Sequence, residues 1–261
     1  MKRNAIARII IYSILAVVLT IVLLAGIQLN SFSIDFGSSG GTTVDSETSI
    51  DVSGIKKLDI VWACGDVTIQ VADTDQITFN ETAPENCKYQ MTYDVNGSTL
   101  KLEYGSPKIS IGFGNNSMPR KDLLITVPRD WVCEQIEIDG AALTISIQHL
   151  TVEKIDLDGA SNALEFVGSV EKVDIDGAAN NLHLKCESHP SLIDIDGARC
   201  ELDLILPKGC GFAVDMEGLN CDFNSNLDYT TKNGQHNYGN GHTNVNVDGI
   251  SCDVTITESD N

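Results

Sequence analysis

A short sequence pattern recurs through the second half of this 261-residue chain and limits the folds that it can adopt. In each copy apolar and polar residues alternate, most of the polar residues are acidic, and a glycine follows. The copies are Ile136–Gly140, Ile155–Gly159, Val173–Gly177, Ile193–Gly197, Val214–Gly218 and Val245–Gly249. Their glycines are spaced 19, 18, 20, 21 and 31 residues apart, and the fifth residue after each glycine is apolar. Such spacing indicates one repeated structural unit.

The alternation within each copy predicts the local structure of the unit. Successive side chains of a strand point to opposite faces, so the apolar residues face a core and the acidic residues face solvent. A single unit cannot bury its apolar side, whereas stacked units bury one continuous core. The sequence therefore predicts an all-β fold, a parallel β-solenoid (β-helix-like) with equivalent strands side by side. A β-sandwich is the alternative, since strands separated by frequent turns also suit that fold.

Residues 55–258 form the predicted solenoid ectodomain, and the repeat is weaker in its first part. Residues 58–69 have the pattern of a diverged coil, and the turn Asn96-Gly97 separates two strands of a predicted hairpin. A further strand is predicted over 123–127. The long spacing before Gly249 marks an insertion loop, 224–241, rich in Asn, Gly and Thr. Loops of this kind project from a fold and often provide a binding site.

The first 29 residues differ from the rest. Residues 1–8 contain Lys2, Arg3 and Arg8, and residues 9–29 then run without a charge, which is long enough to cross a bilayer as a helix. Since no A-x-A-like cleavage site follows, an uncleaved transmembrane anchor is predicted rather than a signal peptide. The basic flank places the 1–8 tail in the cytoplasm and the ectodomain outside the cell. Residues 30–54 contain a Gly/Ser/Thr run and are predicted to be a flexible linker.

The net charge of −20 narrows the classes of partner. Nucleic acid is excluded, because binding to phosphate needs Lys and Arg to displace counterions. Stacked repeats would form two acidic columns, one directly before each glycine and one three residues before it, which runs from Glu137 to Asp215 and ends in Asn246. Carboxylates about 4.8 Å apart repel one another, and a bound cation such as Ca²⁺ would relieve the repulsion. A solvated face with Asp-Gly turns is the other interpretation.

The position three residues after the glycine holds Leu143 in the first copy, asparagine in the next two copies and cysteine in the last three. Cys200, Cys221 and Cys252 lie there, and the alternation points their side chains inward. We expect them to be core thiols; a disulfide between adjacent coils is the alternative. Asn162 and Asn180 share this position and predict a short buried amide ladder.

The sequence contains no motif that is typical of catalysis. The eight cysteines and five histidines lack metal-ligand spacing, and His236 and His242 of the insertion are expected to be solvated. We therefore predict no catalytic, cofactor-binding or metal-ligating residues, and a chain that is not an enzyme. A polysaccharide-active β-helix enzyme would need aromatic platforms and a base beside its acids, whereas aromatic residues make up 6% of this chain.

Several segments together resemble a family of candidate adhesins, bacterial β-strand-repeat proteins that share a domain of unknown function. The segments are the N-terminal anchor and residues 58–60, 65–69, 105–109, 124–128, 238–241 and 247–256. The resemblance implies a bacterial cell-surface β-solenoid, in some cases linked with envelope stress, and it transfers no catalytic residue. Many members have Ser-Thr-Gly-Asp turns, which Asp-Gly-Ala largely replaces here.

Together these features predict a membrane-anchored, cell-surface, adhesin-like or envelope interaction module without catalytic activity. Its partners would be the membrane, through the N-terminal helix, and a protein or glycan of the cell envelope. An envelope-stress signalling component is the first alternative, although a tail of eight residues offers little surface for signal output. A polysaccharide-active enzyme is the second.

Overall fold

The computed structural model describes residues 32–34, 42–43, 47–85, 87, 89–105, 109–111 and 118–259. All the regular structure among these residues is β, and no helix in this part of the chain could cross a membrane. The predicted anchor, 9–29, and the 1–8 tail lie outside the described residues, as do residues 30–31, 35–41 and 44–46 of the predicted linker. The all-β prediction is confirmed.

The chain divides into two units. In the smaller one, β1 (Phe32–Ile34) pairs with β8 (Ile109–Ile111) in antiparallel fashion. The larger unit contains the remaining strands: β2 (Thr42–Thr43), β3 (Thr48–Asp51), β4 (Lys57–Ala72), β5 (Gln76–Thr82), β6 (Thr92–Asn96), β7 (Thr99–Glu103), β9 (Asp122–Pro128), β10 (Cys133–Cys186), β11 (Leu192–Leu206), β12 (Phe212–Ser225), β13 (Thr230–Lys232), β14 (Gln235–Tyr238) and β15 (Thr243–Glu258).

The long strands of the larger unit stack as coils in the register that the repeat predicts. β10 pairs in parallel with β11, where Gly177 lies opposite Gly197, and with β4, where Ile136 lies opposite Leu58. β10 runs through three copies of the repeat without a break. Residues 58–69 are thus a true coil despite their divergence. This parallel pairing matches the solenoid-like prediction and does not fit an antiparallel sandwich.

The apolar positions of the repeat form the core of the stack. In one coil, Ile136, Ile138, Ile145 and Ile147 are at most 1% exposed. Burial of a side chain of this size stabilises a fold by about 1.5 to 3 kcal/mol. The equivalent four positions are also buried in the other coils except β12, and these residues hold the stack together.

The spatial order of the last coils differs from their order in the sequence. β15 lies between β11 and β12 and pairs in parallel with both. The side chains explain this order. In β15 the inward residues Val245 and Val247 are fully buried, as a strand with a coil on each side requires, whereas Met216 and Phe223 of β12 remain partly exposed. β12 therefore suits the end of the stack.

The other end of the stack is completed by separate strands. β7 pairs in parallel with the first part of β4, and β9 pairs in parallel with its last part. Together they occupy the place of one coil that the chain interrupts between them. β6 and β7 form the predicted hairpin, and β5 and β3 extend the sheet beyond β9 through antiparallel pairs.

Candidate functional site

The acidic residues of the repeat lie on the outside of the stack, in register from coil to coil. We call the two columns together the outer acidic face. The column three residues before the glycine is, in spatial order, Asp59, Glu137, Asp156, Asp174, Asp194, Asn246 and Asp215. The column directly before the glycine is Asp139, Asp158, Asp176, Asp196, Asp248 and Glu217. Sequence order would place Asn246 at the end of its column; the position of β15 places it between Asp194 and Asp215.

Two lysines partly neutralise the outer acidic face. The Nζ atom of Lys154 lies 2.5 Å from Asp156 and 3.3 Å from Asp174, so it bridges two neighbouring coils. Lys101 of β7 lies opposite Asp59 and pairs with Glu103 at 2.9 Å. The Lys101 contact lies at the β7 end of the face and the Lys154 contact lies at its middle, so neither contact reaches the carboxylates at the β12 end.

Partial burial and mutual repulsion disfavour ionisation of several carboxyl groups on the face. Burial, and then the neighbouring carboxylates of Asp158 and Glu137, raise the pKa of Asp139 to about 6. The pKa of Asp248 is raised to about 6 in the same way, by burial and then by Asp196 and Glu217. A cationic group placed over these columns would favour their ionised form and would be attracted in return.

The geometry does not assemble a metal centre on the face. Among the described residues, no group of three or more His, Cys, Asp or Glu side chains is arranged to hold a metal ion. Each column runs across the parallel strands, from coil to coil, so the carboxylates form a line rather than the inward-pointing cage of oxygens that Ca²⁺ takes. The face is better suited to an extended partner that carries several positive charges.

The side chains three residues after the glycine form an internal line at one corner of the coils, which we call the corner column. It contains, in spatial order, Gly65, Leu143, Asn162, Asn180, Cys200, Cys252 and Cys221. The predicted amide ladder is present: Nδ2 of Asn162 donates to Oδ1 of Asn180 at 3.1 Å. Cys200 and Cys252 are buried, as expected, and Cys221 is half-buried.

One known protein family matches nearly all of the stacked region. The family model described as Toastrack DUF4097 matches residues 55–260, which include all the stacked coils. The chain belongs to the Toastrack family. The resemblance drawn from the sequence is thereby confirmed, and the family is one of unknown function.

Several solved structures are similar to this chain at low sequence identity. A candidate cell adhesion protein from Clostridium sporogenes has 14% identity and a TM-score of 0.50, over 82% of this chain and 99% of that chain. A candidate adhesin from Bacteroides fragilis has 12% identity and a TM-score of 0.36, over 84% and 100% of the two chains. No curated protein matches the sequence. At these identities the first likeness supports the fold alone.

The predicted insertion of this Toastrack domain is a hairpin rather than an open loop. β13 and β14 pair around a turn at Asn233 and Gly234, which both have positive φ, and β14 also pairs with the start of β12. His236, expected to be solvated, is half-buried and stacks on Phe223 with ring centroids 4.5 Å apart. Tyr229 meets the same ring edge-on at 4.9 Å. The insertion therefore covers part of the last coil.

A buried charge at the opposite end of the Toastrack stack was not predicted from the sequence. Lys121 is fully buried, and its Nζ donates to Glu81, Tyr89 and Tyr104, at 2.5, 2.9 and 2.7 Å. The ammonium also lies 4.1 Å from the centre of the Tyr104 ring and 4.9 Å from that of Trp62. All three N–H donors are used, which makes the lysine a structural part of this end of the stack.

One glycine allows the backbone of Lys121 to lie close to β4. A Cβ atom on Gly65 would lie 1.8 Å from the backbone oxygen of Lys121, and the φ of Gly65 is +131°. Only glycine fits there, so the chain before β9 can approach β4 at the corner of the coil. The Gly65-Asp66 step was visible in the sequence, but it gave no indication of which residue approaches it.

Proposed function

We propose that this chain is an adhesin-like interaction module of a bacterial cell envelope, which acts by binding rather than by catalysis. In this proposal residues 9–29 anchor it in the membrane, residues 1–8 are cytoplasmic, and the stacked coils are presented outside the cell. Its outer acidic face binds a protein partner through a surface rich in Lys and Arg. The in-register acidic columns are the observation that supports this proposal most directly.

The electrostatics of the face favour an extended basic partner. Carboxylates repeat along each column at about the 4.8 Å spacing of strands, so a partner with regularly spaced cations can contact several of them. A field of one sign also steers oppositely charged proteins and raises their association rate. Because each surface contact is weak and screened by salt, binding should depend on many contacts and fall with ionic strength.

Matched pairs of substitutions test the face. The test pair, Asp174→Asn with Asp194→Asn, removes two in-register charges from the face. The control pair, Glu201→Gln with Asp253→Asn, removes two in-register, exposed charges from the strand segments that follow the glycine of each repeat. We expect the first pair to weaken binding of a fluorescent oligolysine peptide by roughly tenfold at low salt, and the second by about twofold. Equal losses in both would refute the proposal, because net charge alone would then explain the binding.

The location of the chain requires a separate test. Cells that produce the full chain are treated with a protease that does not cross the membrane. We expect loss of the coils, together with retention of the N-terminal segment in the membrane fraction after a carbonate wash. Recovery of the intact chain from protease-treated cells, or its release by carbonate, would contradict the proposed anchoring.

A further inference from the structure

Three cysteines meet at the end of the stack where β12 and β15 pair. Cys252 lies directly opposite Cys200 of β11 on one side and Cys221 of β12 on the other. In the sequence, the β13–β14 hairpin separates Cys221 from Cys252. Because β15 lies between β11 and β12, the two cysteines are on neighbouring strands. Paired residues on adjacent strands have Cα atoms about 4.8 Å apart, within the range that a disulfide allows.

Glycines at the same corner leave room for the sulfur atoms. A Cβ atom on Gly249 would lie 2.8 Å from the Sγ of Cys252, and one on Gly218 would lie 2.5 Å from the Sγ of Cys221. Gly218 and Gly249 are themselves opposite each other. The two thiols therefore occupy equivalent spaces on neighbouring strands, within hydrogen-bonding reach of each other.

The exposure of the three thiols differs. Cys200 and Cys252 are 1% and 2% exposed, whereas Cys221 is half-buried because β12 is the last strand of the stack. Burial raises the pKa of Cys200 and Cys252, so both form a thiolate less readily than an exposed cysteine does. Cys221 is thus the thiol of the three that an external reagent reaches first.

We propose that Cys221 and Cys252 form a redox-active pair, which closes to a disulfide by exchange with an external small-molecule or protein disulfide. Cys221 loses its proton to water, its thiolate attacks one sulfur of the external disulfide, and one external thiolate leaves. Cys252 then loses its proton and attacks the Sγ of Cys221, which expels the second external thiolate. Two protein thiols are oxidised, and the external disulfide is reduced to two thiols, which take up the two protons.

The disulfide would fasten the terminal strand of the stack to its neighbour. It would close a chain loop that contains the whole β13–β14 hairpin. A second pair of neighbouring thiols, Cys186 and Cys210, provides an internal comparison. Both are buried, at 3% and 1% exposure, so exchange cannot start there while the coils remain folded. The inference is independent of the outer acidic face.

Peptide mapping tests the pairing directly. The full chain in detergent is treated with oxidised glutathione, alkylated, and digested with a protease that cleaves after Asp and Glu. This digestion separates the three thiols into peptides 197–201, 218–222 and 249–253. We expect a disulfide between the last two, its reversal by dithiothreitol, and a melting temperature about 5 to 10 °C higher than that of the reduced chain.

Variants identify the order of events. Cys221→Ala should abolish the cross-link and leave Cys252 unmodified, whereas Cys200→Ala should leave the cross-link intact. Circular dichroism confirms that each variant is folded. A cross-link between the peptides 197–201 and 249–253, or glutathione that stays on Cys221 without closure in the unmodified chain, would overturn the proposal.

Discussion

Replacement of Lys121 by methionine would remove a buried ammonium group while keeping the length of the side chain. The substitution leaves Glu81, whose side chain is 12% exposed, without its cationic partner. It also leaves the backbone oxygens of Tyr89 and Tyr104 without the donors that they now accept from. The apolar stem of methionine would still fill the space beside Trp62, so the loss is mainly electrostatic.

The size of the effect follows from these contacts. Removal of one partner of a buried ion pair destabilises a protein by about 3 to 5 kcal/mol, because the remaining charge is uncompensated. Burial lowers the pKa of Lys121, and the Glu81 carboxylate opposes that shift, so the pair exists at a desolvation cost. Adding Glu81→Gln should recover about 2 kcal/mol, since the amide bears no charge and still accepts the N–H of Met91.

Urea unfolding of a fragment covering 47–261, followed by circular dichroism and by tryptophan fluorescence, measures both effects. Lys56→Met is a matched control, because Lys56 pairs with Glu134 at 2.6 Å on the surface, and its removal should leave the midpoint unchanged. A loss below 1 kcal/mol in Lys121→Met would refute the reasoning. So would a double variant that is no more stable than the single one, because the unpaired carboxylate would then not be the cause.

Two further substitutions test the face and the corner column. Asp139→Asn should stabilise the fold by about 1 kcal/mol at pH 7, allowing for partial solvent exposure, because Asp139 has a pKa of about 6 when folded against an ordinary 3.8. In the wild type, the raised pKa of Asp139 means that the fold loses stability as pH rises from about 4 to 6 and the carboxyl group ionises. The melting temperatures of Asp139→Asn and of a control, Asp228→Asn, should therefore diverge over that pH window. A pH-independent difference would contradict the assignment. Leu143→Asn should cost less than Leu143→Ala, for which about 2 to 5 kcal/mol is typical, because the new amide can donate to Asn162; the reverse order in chemical denaturation would show that no such bond forms.

The sequence was sufficient to predict the register between coils, but it was not sufficient to predict their spatial order. The repeat places Gly197 against a glycine of another coil, and it predicts the inward side chains of Cys200 and Cys252 correctly. Every coil has the same pattern, however, so the pattern does not specify that β15 lies between β11 and β12. The burial of Val247 and the exposure of Met216 now explain that order, because apolar residues are best buried where a coil lies on each side.

The candidate sites could likewise be predicted only where they follow the repeat. The outer acidic face follows from the alternation, since residues of opposite parity to a buried set must face outward. Lys121 could not be identified in this way, because its part of the chain repeats weakly. Its partner Glu81 is 40 residues away in sequence, and Tyr104 is 17 residues away. Long-range contacts between single residues leave no periodic signal.

The amide ladder explains why the corner column can change from leucine to asparagine and then to cysteine. Asn162 donates to Asn180, and Asn180 donates to the backbone oxygen of Asp196 at 3.1 Å, so the amide donors point toward the next coil. The last donor therefore needs no side chain beyond it, and Cys200 can follow because a thiol tolerates burial without a strong hydrogen bond. The first acceptor, Oδ1 of Asn162, has no hydrogen-bond partner among the described residues, because Leu143 precedes it. The ladder is thus satisfied at its cysteine end, whereas the acceptor at its leucine end is unused. A further amide could therefore donate a hydrogen bond to this ladder from the position of Leu143.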